Sequence, residues 1–562
     1  NHNTAIGHEA LNKNTTGCFN QAVGSFALGC NTEGCQNTAM GMSALITNTT
    51  GDNNVAIGRL ALTANQTADN NTAVGMSALK ANTTGTQNVA VGATSLDANT
   101  TGCMNTAIGR SALGANISGL CNTALGRTAM ELNTTGCYNV AVGKDSLANN
   151  TTANYNVAVG RNALFKNTTG ELNTSIGDSA GKCNTTGDNN TAIGYSSLYN
   201  NTTADNNTAV GYTSLYTNTT GANNVAVGTC ALKLNTTGAN NTAVGRRALD
   251  ANTTAGENTA MGNSALGANT TGGSNSAYGS SALVSNTTGA NNVAVGVQAL
   301  ATNTTASNNT AVGYDSLFAN TTGTRNTAVG KDALKLNTTG NENTSFGNFS
   351  LDANTTGCKN NAFGDSSLSA NTTGCCNVAI GNATLSSNTT AIYNTAVGIN
   401  ALTTSTTGTS NSAVGALSLD AATTGSYNSG MGYGSLGANT TGAFNASIGY
   451  AAGSNVTTGS SNIAIGKSSG TDAVFNITTE SNRLVLGHNN ISNAYIKVAL
   501  TVTSDLRDKT EIGEVPHGLE FVEKLKPVSF KFKKSRENPK PHGFKKYGFL
   551  AQDILELEGS DN

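Results

Sequence analysis

Twenty-eight glycines recur at intervals of 17 residues, from Gly7 to Gly466, without an insertion or a deletion (466 − 7 = 27 × 17). The residues around each glycine follow a pattern close to N-T-A-V-G-x-x-A-L-x-x-N-T-T-G-x-x. A strict short period is typical of a solenoid or fibre, in which every repeat packs on the next one. The repeat therefore predicts an elongated structure, and not a globular enzyme, for residues 1–470.

The chain has a polar composition of low complexity, which on its own is also typical of disorder. Charged residues make up 11% of the 562 residues, aromatic residues 5%, and tryptophan is absent. Disordered segments vary in length and spacing, whereas this period holds throughout, so we expect each repeat to be fixed to its neighbour. The net charge of −2 predicts no nucleic-acid partner, and no apolar run reaches the roughly 20 residues of a membrane span, so we expect no membrane insertion.

Each repeat contains two short apolar stretches separated by polar turns. Counted from the glycine as position 0, position −2 is small, position −1 is usually Val or Ile, and position +4 is usually Leu. Stretches of three to five residues are too short for helices and suit strands. We expect the glycine to adopt a positive φ or to allow a close backbone approach. The Asn and Thr positions are expected to form turns whose side chains stack in ladders about 4.8 Å apart.

Positions −2 and −1 are both small or apolar, although neighbouring side chains of a strand point to opposite faces. An isolated solenoid needs only one buried face, so the second face predicts a partner surface. The simplest partner is another copy of the chain around a shared axis, which predicts a parallel homotrimer. The alternative is a monomeric solenoid with a tolerant outer face.

The predicted fold class is therefore all-β. It is a β-solenoid or β-roll of 28 coils of 17 residues over residues 1–470, about 130 Å long at ~4.8 Å per coil. A small α+β C-terminal module is expected to follow it.

The repeats resemble those of two groups of fibrous proteins. The N-T-A-[VI]-G unit is similar to the head repeats of trimeric autotransporter adhesins, which form trimeric left-handed β-rolls. The N-T-T-G turns resemble repeat arrays of viral tail-fibre-like proteins. Both resemblances imply a surface fibre.

The 17-residue period ends after Gly466, and the composition changes with it. All four prolines and three of the five histidines follow Gly487. We assign residues 471–503 to an irregular β connector and residues 504–562 to a separate module, with a helix expected over 519–525 and a strand over 527–532. Because the chain begins inside a repeat, we expect it to be a piece of a longer polypeptide.

Three motifs of this module carry a more specific resemblance: S-D-x-R-x-K from residue 504, L-K-P-V-S-F from residue 525 and G-F-L-A-Q from residue 548. In this order they resemble the intramolecular chaperone domain of phage tail spikes and fibres, the S74 peptidase family. The resemblance implies a domain that helps three chains to trimerise and fold. Members of that family continue into further helical sequence, so trimerising helices are expected beyond Asn562.

The same resemblance implies self-cleavage before the motif serine by a serine–lysine dyad, which corresponds here to Ser504 and Lys509. A serine hydroxyl becomes a useful nucleophile when a base removes its proton, and a desolvated lysine can be that base. The alternative is that both residues only help the module to fold. No enzyme with turnover is expected, because no repeat position combines acidic residues at matched spacing.

Two further sets of residues are candidate sites. Cysteines recur at position +11, and Cys18/Cys35 and Cys358/Cys375 fall in adjacent coils. The pattern is compatible with disulfides between these pairs. It is also compatible with a turn position that merely tolerates cysteine. The N-T-T turns are also glycosylation sequons, for which a ladder role is a sufficient explanation. These sequons include Asn14, Asn48 and Asn82. No Cys/His spacing of zinc type occurs, and no metal or other cofactor is predicted.

The sequence thus predicts a tail-fibre or spike shaft for host attachment or surface display, with a C-terminal chaperone for trimer assembly. The expected location is a virion surface or an extracellular filament, and the receptor or glycan is not identified by the repeats. A cellular trimeric adhesin or surface filament is the first alternative. An ice-binding solenoid is the second, and it is weakened because adjacent threonines such as Thr15 and Thr16 would point to opposite faces of an extended chain.

Overall fold

The computed structural model describes residues 2–495, 518–533 and 540–558. Over the first of these ranges the chain winds into a parallel β-solenoid with one three-residue strand in each coil, at positions −3 to −1. Strand βn spans residues 17n − 13 to 17n − 11, from β1 (Thr4–Ile6) through β14 (Val225–Val227) to β28 (Ile463–Ile465). Each strand pairs in parallel with the equivalent residues of the next coil, as Ala5 does with Ala22. The predicted β-solenoid of 17-residue coils is confirmed.

The second apolar stretch of the repeat is not a strand, so that expectation was wrong. Positions +1 to +6 form turns, and positions +2 and +4 have positive φ, with 63° at Phe26 and 50° at Leu28. The physical reason lies in the core. Ala27 and Leu28 are consecutive and both fully buried, whereas a flat strand would send one of them outwards.

The interior of each coil combines small apolar side chains with asparagine. In the coil of Gly24, Ala22 at position −2 and Leu28 at position +4 have no exposed surface. Asn20 at position −4 and Asn31 at position +7 are equally buried. Because a buried amide is costly unless its hydrogen bonds are made, the two asparagine columns must be satisfied inside the coil.

The asparagines at position −4 form one continuous ladder. Asparagine occupies this position in every repeat from Asn3 to Asn462. The backbone N–H of Asn20 donates to Oδ1 of Asn3 at 2.8 Å, and the Asn20 Nδ2 donates to the carbonyl of Gly34 at 2.7 Å. The same backbone bond recurs to the end of the solenoid, where Arg483 donates to Asn462. Each asparagine therefore joins its own coil to the coil on either side.

The asparagines of the N-T-T turns, at position +7, form a second ladder. Nδ2 of Asn31 donates to Oδ1 of Asn14 at 2.8 Å and to the Gly34 carbonyl at 2.9 Å. Asn48, another residue of the sequons, is fully buried, and its Nδ2 makes the equivalent two bonds. The predicted ladder is confirmed, and it engages the amide nitrogen that a glycan would need.

The second ladder has breaks near the C-terminal end of the solenoid. Ser405 follows Asn388 in this column, and Val456 follows Asn439. The Oδ1 atoms of Asn388 and Asn439 and the Oγ of Ser405 are buried without a hydrogen-bond partner. In neither case does the next member of the column bring a donor within hydrogen-bond distance of the amide oxygen, since the Ser405 hydroxyl makes no bond and Val456 has no polar group. The ladder therefore depends on the identity of its next member.

The invariant glycine serves both of the predicted purposes. Gly24 has a φ of 133°. A Cβ added there would lie 2.7 Å from the backbone carbonyl group of Gly41 in the next coil. A side chain at this position would therefore strain its own backbone and block the stacking of the coils.

The strand ladder continues past residue 470, into the segment assigned to the connector. Strand β29 (Leu484–Leu486) pairs in parallel with β28, although its coil has 21 residues (487 − 466). The four additional residues follow Gly470, which stands at the usual leucine position, and Ile477 is buried beside it. The insertion is absorbed in the turn, so the strand pairing is maintained.

The described part of the C-terminal module contains both helix and strand, as predicted. Helix α1 spans Leu519–Lys524, and helix α2 spans Ala551–Glu558. Between them, β30 (Val528–Lys533) pairs in antiparallel fashion with β31 (Pro541–Gly548). The small α+β module is therefore confirmed.

Candidate functional site

The most extensive candidate site is the outward strand face, which we define as positions −3 and −1 of strands β1 to β28. Position −1 is Val, Ile, Leu, Met, Phe or Tyr in every coil, and position −3 is mostly Thr or Val. Alanine at position −2 points inwards and is buried, while position −1 remains partly or largely exposed, with 38% exposure at Ile57. The two positions face opposite ways, as predicted, and the structure decides which of them is the inner one. The face is a continuous apolar stripe along the solenoid, and exposed apolar surface of this extent is typical of an interaction site.

Aromatic side chains widen this apolar surface in several coils. Phe346 and Phe363, both at position −1, stack with ring centroids 5.1 Å apart. At positions +12 and +1, which flank the strand in sequence, Tyr427 stacks on Phe444 and Tyr433 on Tyr450. These stacks arise because identical positions of successive coils lie one above the other. Exposed aromatic side chains supply large contact areas at interfaces.

Charges are sparse and occur away from the strand positions. At position +1, Arg161 and Asp178 of successive coils form an ion pair of 2.9 Å. At position +5, burial raises the pKa of Asp352, and the positive charge of Lys335 one coil earlier partly opposes this shift. The outward strand face therefore carries no long-range charge pattern that would attract a nucleic acid.

The last coil contains an open cleft of about 390 Å³. Its lining includes Phe475, Ile477 and Leu484, together with the ionisable side chains Glu480 and Arg483. The backbone N–H of Thr478 donates a hydrogen bond to the Glu480 carboxylate, which lowers the pKa of Glu480. The cleft has no nucleophile and base in contact, so its geometry does not indicate catalysis.

Within the described ranges, no group of three or more His, Cys, Asp or Glu side chains is placed to hold a metal ion. In the same residues, no helix has the length and apolar character needed to cross a membrane.

The predicted dyad, Ser504 and Lys509, lies outside the described residues and stays a prediction.

The described part of the module exposes its large apolar side chains. Helix α1 has no buried residue, and Leu519 is 74% exposed. In β31, Phe544 is 92% and Tyr547 81% exposed. These side chains are available to contact other surfaces.

A long apolar face and a terminal module with exposed apolar side chains are thus present in one chain. Residues 504–558 match the model of the peptidase S74 family, described as the chaperone of endosialidase. The match begins at the motif serine, Ser504, and ends at the last residue of α2, so it covers all three motifs. It concerns the module and not the solenoid, since it spans about a tenth of the chain. No curated protein matches the chain.

The asparagines at position −4 are the residues whose structural role was most underestimated from the sequence, since they were expected only to form turns. They are as invariant as the glycines, from Asn3 to Asn462. This invariance was the available signal, because a surface turn would tolerate Asp, Ser or Gly in some of the repeats. A polar column without exceptions indicates a buried polar group with fixed hydrogen-bond partners.

Proposed function

We propose that the chain forms the shaft and C-terminal assembly module of a homotrimeric fibre or spike. The fibre would serve host attachment or surface display on a virion or in an extracellular filament. The S74 chaperone match together with the β-solenoid fits a fibre or spike with an assembly chaperone at its C-terminal end. The observation that carries the trimer is the outward strand face.

The outward strand face needs a partner that is as long and as regular as itself. A second and a third copy of the chain meet this need, because in a parallel assembly every coil presents the same position −1 side chain to its equivalents. Phe346 and Phe363, for example, would meet the same phenylalanines of the other chains. Cyclic symmetry closes the assembly, so no apolar stripe is left open.

The regularity of the shaft creates a problem of register, which supports a role for the module. If one chain slips by a single coil, its position −1 residues still meet apolar residues of the neighbouring chain. The shaft by itself therefore selects its register weakly, as uniform strands do. A module that first brings the three C-terminal ends together would set the register before the shafts pack. The exposed apolar side chains of α1 and β31 provide surface for such contacts.

Self-cleavage before Ser504 would release the module after it has acted. In this proposal Lys509 removes the hydroxyl proton of Ser504, and the serine oxygen attacks the carbonyl carbon of Thr503. The C–N bond between Thr503 and Ser504 breaks as Lys509 returns the proton to the Ser504 nitrogen, which leaves Thr503 as an ester on the Ser504 oxygen. Water then hydrolyses this ester, which gives the Thr503 carboxylate and restores the Ser504 hydroxyl. The released shaft would then be kinetically trapped as a trimer, since its three chains are no longer joined to the module that aligned them.

The mass and symmetry of the purified full-length chain test the trimer. We expect about 170 kDa, three times 56.6 kDa, for the uncut assembly. A variant that ends at residue 495 should give chains in mixed registers or aggregates. A monomer of the full chain would overturn the trimer, and a truncated chain that assembles as well as the full chain would overturn the register role.

Self-cleavage is tested separately by measuring chain length. We expect the unmodified protein to separate between Thr503 and Ser504, and the Ser504→Ala and Lys509→Ala variants to remain whole. Ser529→Ala is the matched control, because Ser529 lies exposed in β30 of the same module. An unmodified chain that stays whole after trimerisation contradicts cleavage and leaves the assembly role intact.

A further inference from the structure

Two pairs of cysteines are in direct contact across successive coils. The Sγ atoms of Cys18 and Cys35 are 3.0 Å apart, and the Cys18 backbone N–H donates to the Cys35 Sγ at 3.1 Å. The Sγ atoms of Cys358 and Cys375 are also 3.0 Å apart, with an equivalent backbone bond of 3.0 Å. All four thiols are free and half-exposed.

The backbone of the solenoid is suited to a covalent bond between these pairs. Each pair occupies position +11 of adjacent coils, and stacked parallel backbones lie about 4.8 Å apart. Disulfides connect Cα atoms that are roughly 4.4–6.8 Å apart, so no rearrangement of the coils is required.

The same column contains its own comparison. Cys103 and Cys137 also stand at position +11, but Leu120 separates them. The other coil neighbours of these two cysteines are Thr86 and Asn154. Cys103 and Cys137 share the backbone geometry of the paired cysteines and lack a thiol in the next coil.

We propose that Cys18–Cys35 and Cys358–Cys375 are two oxidation sites that form disulfides between successive coils when a low-molecular-weight disulfide is the oxidant. One thiolate attacks a sulfur of the oxidant, forms a mixed disulfide and releases one oxidant thiolate. The second cysteine, as its thiolate, attacks the protein sulfur of that mixed disulfide and releases the other oxidant thiolate. The protein loses two protons and two electrons for each bond, and the oxidant is reduced to two thiols.

The contact between the thiols also predicts how the reaction depends on pH. The hydrogen bond to Cys375 and partial burial raise the pKa of Cys358 to about 11. Since the thiolate is the attacking species, the oxidation should be slow at neutral pH and faster in alkaline solution. Once formed, each bond closes a loop of one coil and restricts the unfolded chain, which stabilises the solenoid at that point.

Thiol counting on the folded full-length protein tests the proposal, with oxidised glutathione as the oxidant. The reduced chain has eleven thiols. After oxidation and denaturation we expect seven (11 − 4), with peptides linked as 18–35 and 358–375. Eleven remaining thiols, or bonds that join two chains, would overturn the assignment.

Two variants isolate the effect of stacking from the effect of reactivity. Cys35→Ser should leave Cys18 reduced, so that eight thiols of ten remain after oxidation. Thr86→Cys places a thiol directly before Cys103, since the Thr86 backbone N–H already contacts the Cys103 Sγ at 3.4 Å. This variant should form a third bond and retain six thiols of twelve. If Cys103 stays reduced in Thr86→Cys, adjacency in this column is not sufficient and the inference fails.

Discussion

The solenoid buries its leucines at position +4, whereas the C-terminal module leaves its large apolar side chains exposed. In the solenoid, Leu28 and its equivalents are enclosed by the alanines and asparagines of the neighbouring coils. In the module, Phe544 and Tyr547 have almost no cover among the described residues. The solenoid therefore obtains its stability from contacts between successive coils of one chain, and the module needs surfaces from elsewhere.

The solenoid itself shows the same difference between its two sides. Inward positions are satisfied within one chain, while the outward strand face at position −1 is not. The comparison separates two kinds of stability. Changes inside the coil should unfold the chain, and changes on the outward strand face should weaken the proposed trimer and leave the coils folded.

The largest effect is expected from Gly245→Ala. The φ of Gly245 is 133°, and the new Cβ would lie 2.5 Å from the carbonyl oxygen of Gly262. Strain and a clash between backbones together should cost more than about 3 kcal/mol of coil stability, measured by chemical unfolding.

Gly273→Ala is the control for this change. A Cβ there meets only the Gly256 carbonyl oxygen, at 3.3 Å. Alanine already occupies the same position at Ala222 and Ala239. Equal losses of stability in both variants would contradict the role assigned to the glycine at position 0.

Asn241→Ala should cost about 2–3 kcal/mol, because it leaves buried hydrogen-bonding groups without partners. Oδ1 of Asn241 accepts from the Asn258 N–H at 3.0 Å, and its Nδ2 donates to the Ala255 carbonyl at 2.9 Å. The neighbouring Asn240 is exposed, and serine occurs at its position in other coils, such as Ser274. Asn240→Ser should therefore be nearly neutral in the same unfolding experiment, and a loss as large as that of Asn241→Ala would exclude the ladder as the cause.

If the chain assembles as proposed, replacing both Phe346 and Phe363 by Glu should weaken the proposed trimer by about 2 kcal/mol, because like charges would meet on the outward strand face. The coils should remain folded, since both side chains point away from the core. Assembly mass against concentration, with circular dichroism as the check on folding, measures the two effects. Thr373→Glu is the control, as Glu33 naturally occupies the same position. If the double variant lost its coil structure while the chains stayed associated, the distinction between the core side and the outward strand face would be contradicted.

The smallest effect is expected from Asp352→Asn, which should change stability at neutral pH by less than about 1 kcal/mol. Burial raises the pKa of Asp352 in the folded state. The folded state therefore gains stability as pH falls through that raised pKa, and the gain is complete below the pKa of the unfolded chain. The variant should lose this gain.

Asp178→Asn provides the opposite sign in the same pH series. Hydrogen bonds from Ser179 and Arg161 lower the pKa of Asp178 in the folded state. Its contribution to stability is present above the unfolded pKa and is lost as pH falls through the folded pKa. The unfolding midpoint of each variant should be measured relative to the unmodified protein from neutral to acidic pH. As pH falls, this difference should change in opposite directions for Asp352→Asn and Asp178→Asn. Differences that change in the same direction would contradict this account.

Much of the solenoid could be predicted from residue spacing, and the errors have clear physical causes. Positions −2 and −1 were correctly expected to face opposite ways, because strand alternation follows from local geometry. Only the structure decided that position −2 is the inner one. The stretch around Leu28 was assigned to a strand, although its positive φ turns two consecutive side chains into the core. The segment of β29 was expected to be irregular β-structure, and its regular pairing with β28 was not anticipated, because a four-residue insertion interrupts the period while the turn absorbs it.

The candidate sites also include features that the sequence identified and features that it could not predict. Motifs alone identified the module that starts at Ser504, since the order of the motifs is specific. They carried no information on the exposure of Phe544 and Tyr547, which depends on what packs beside them.

By itself, the sequence determined the length of the coil, the number of repeats and the positions that must be small. Twenty-eight repeats of one environment leave few alternative structures. Only the tertiary structure decided that the asparagines lie inside the coil, that Cys18 touches Cys35, and that the outward strand face is left open. These properties depend on what the next coil places at the same position, and that contact exists only when the coils are stacked.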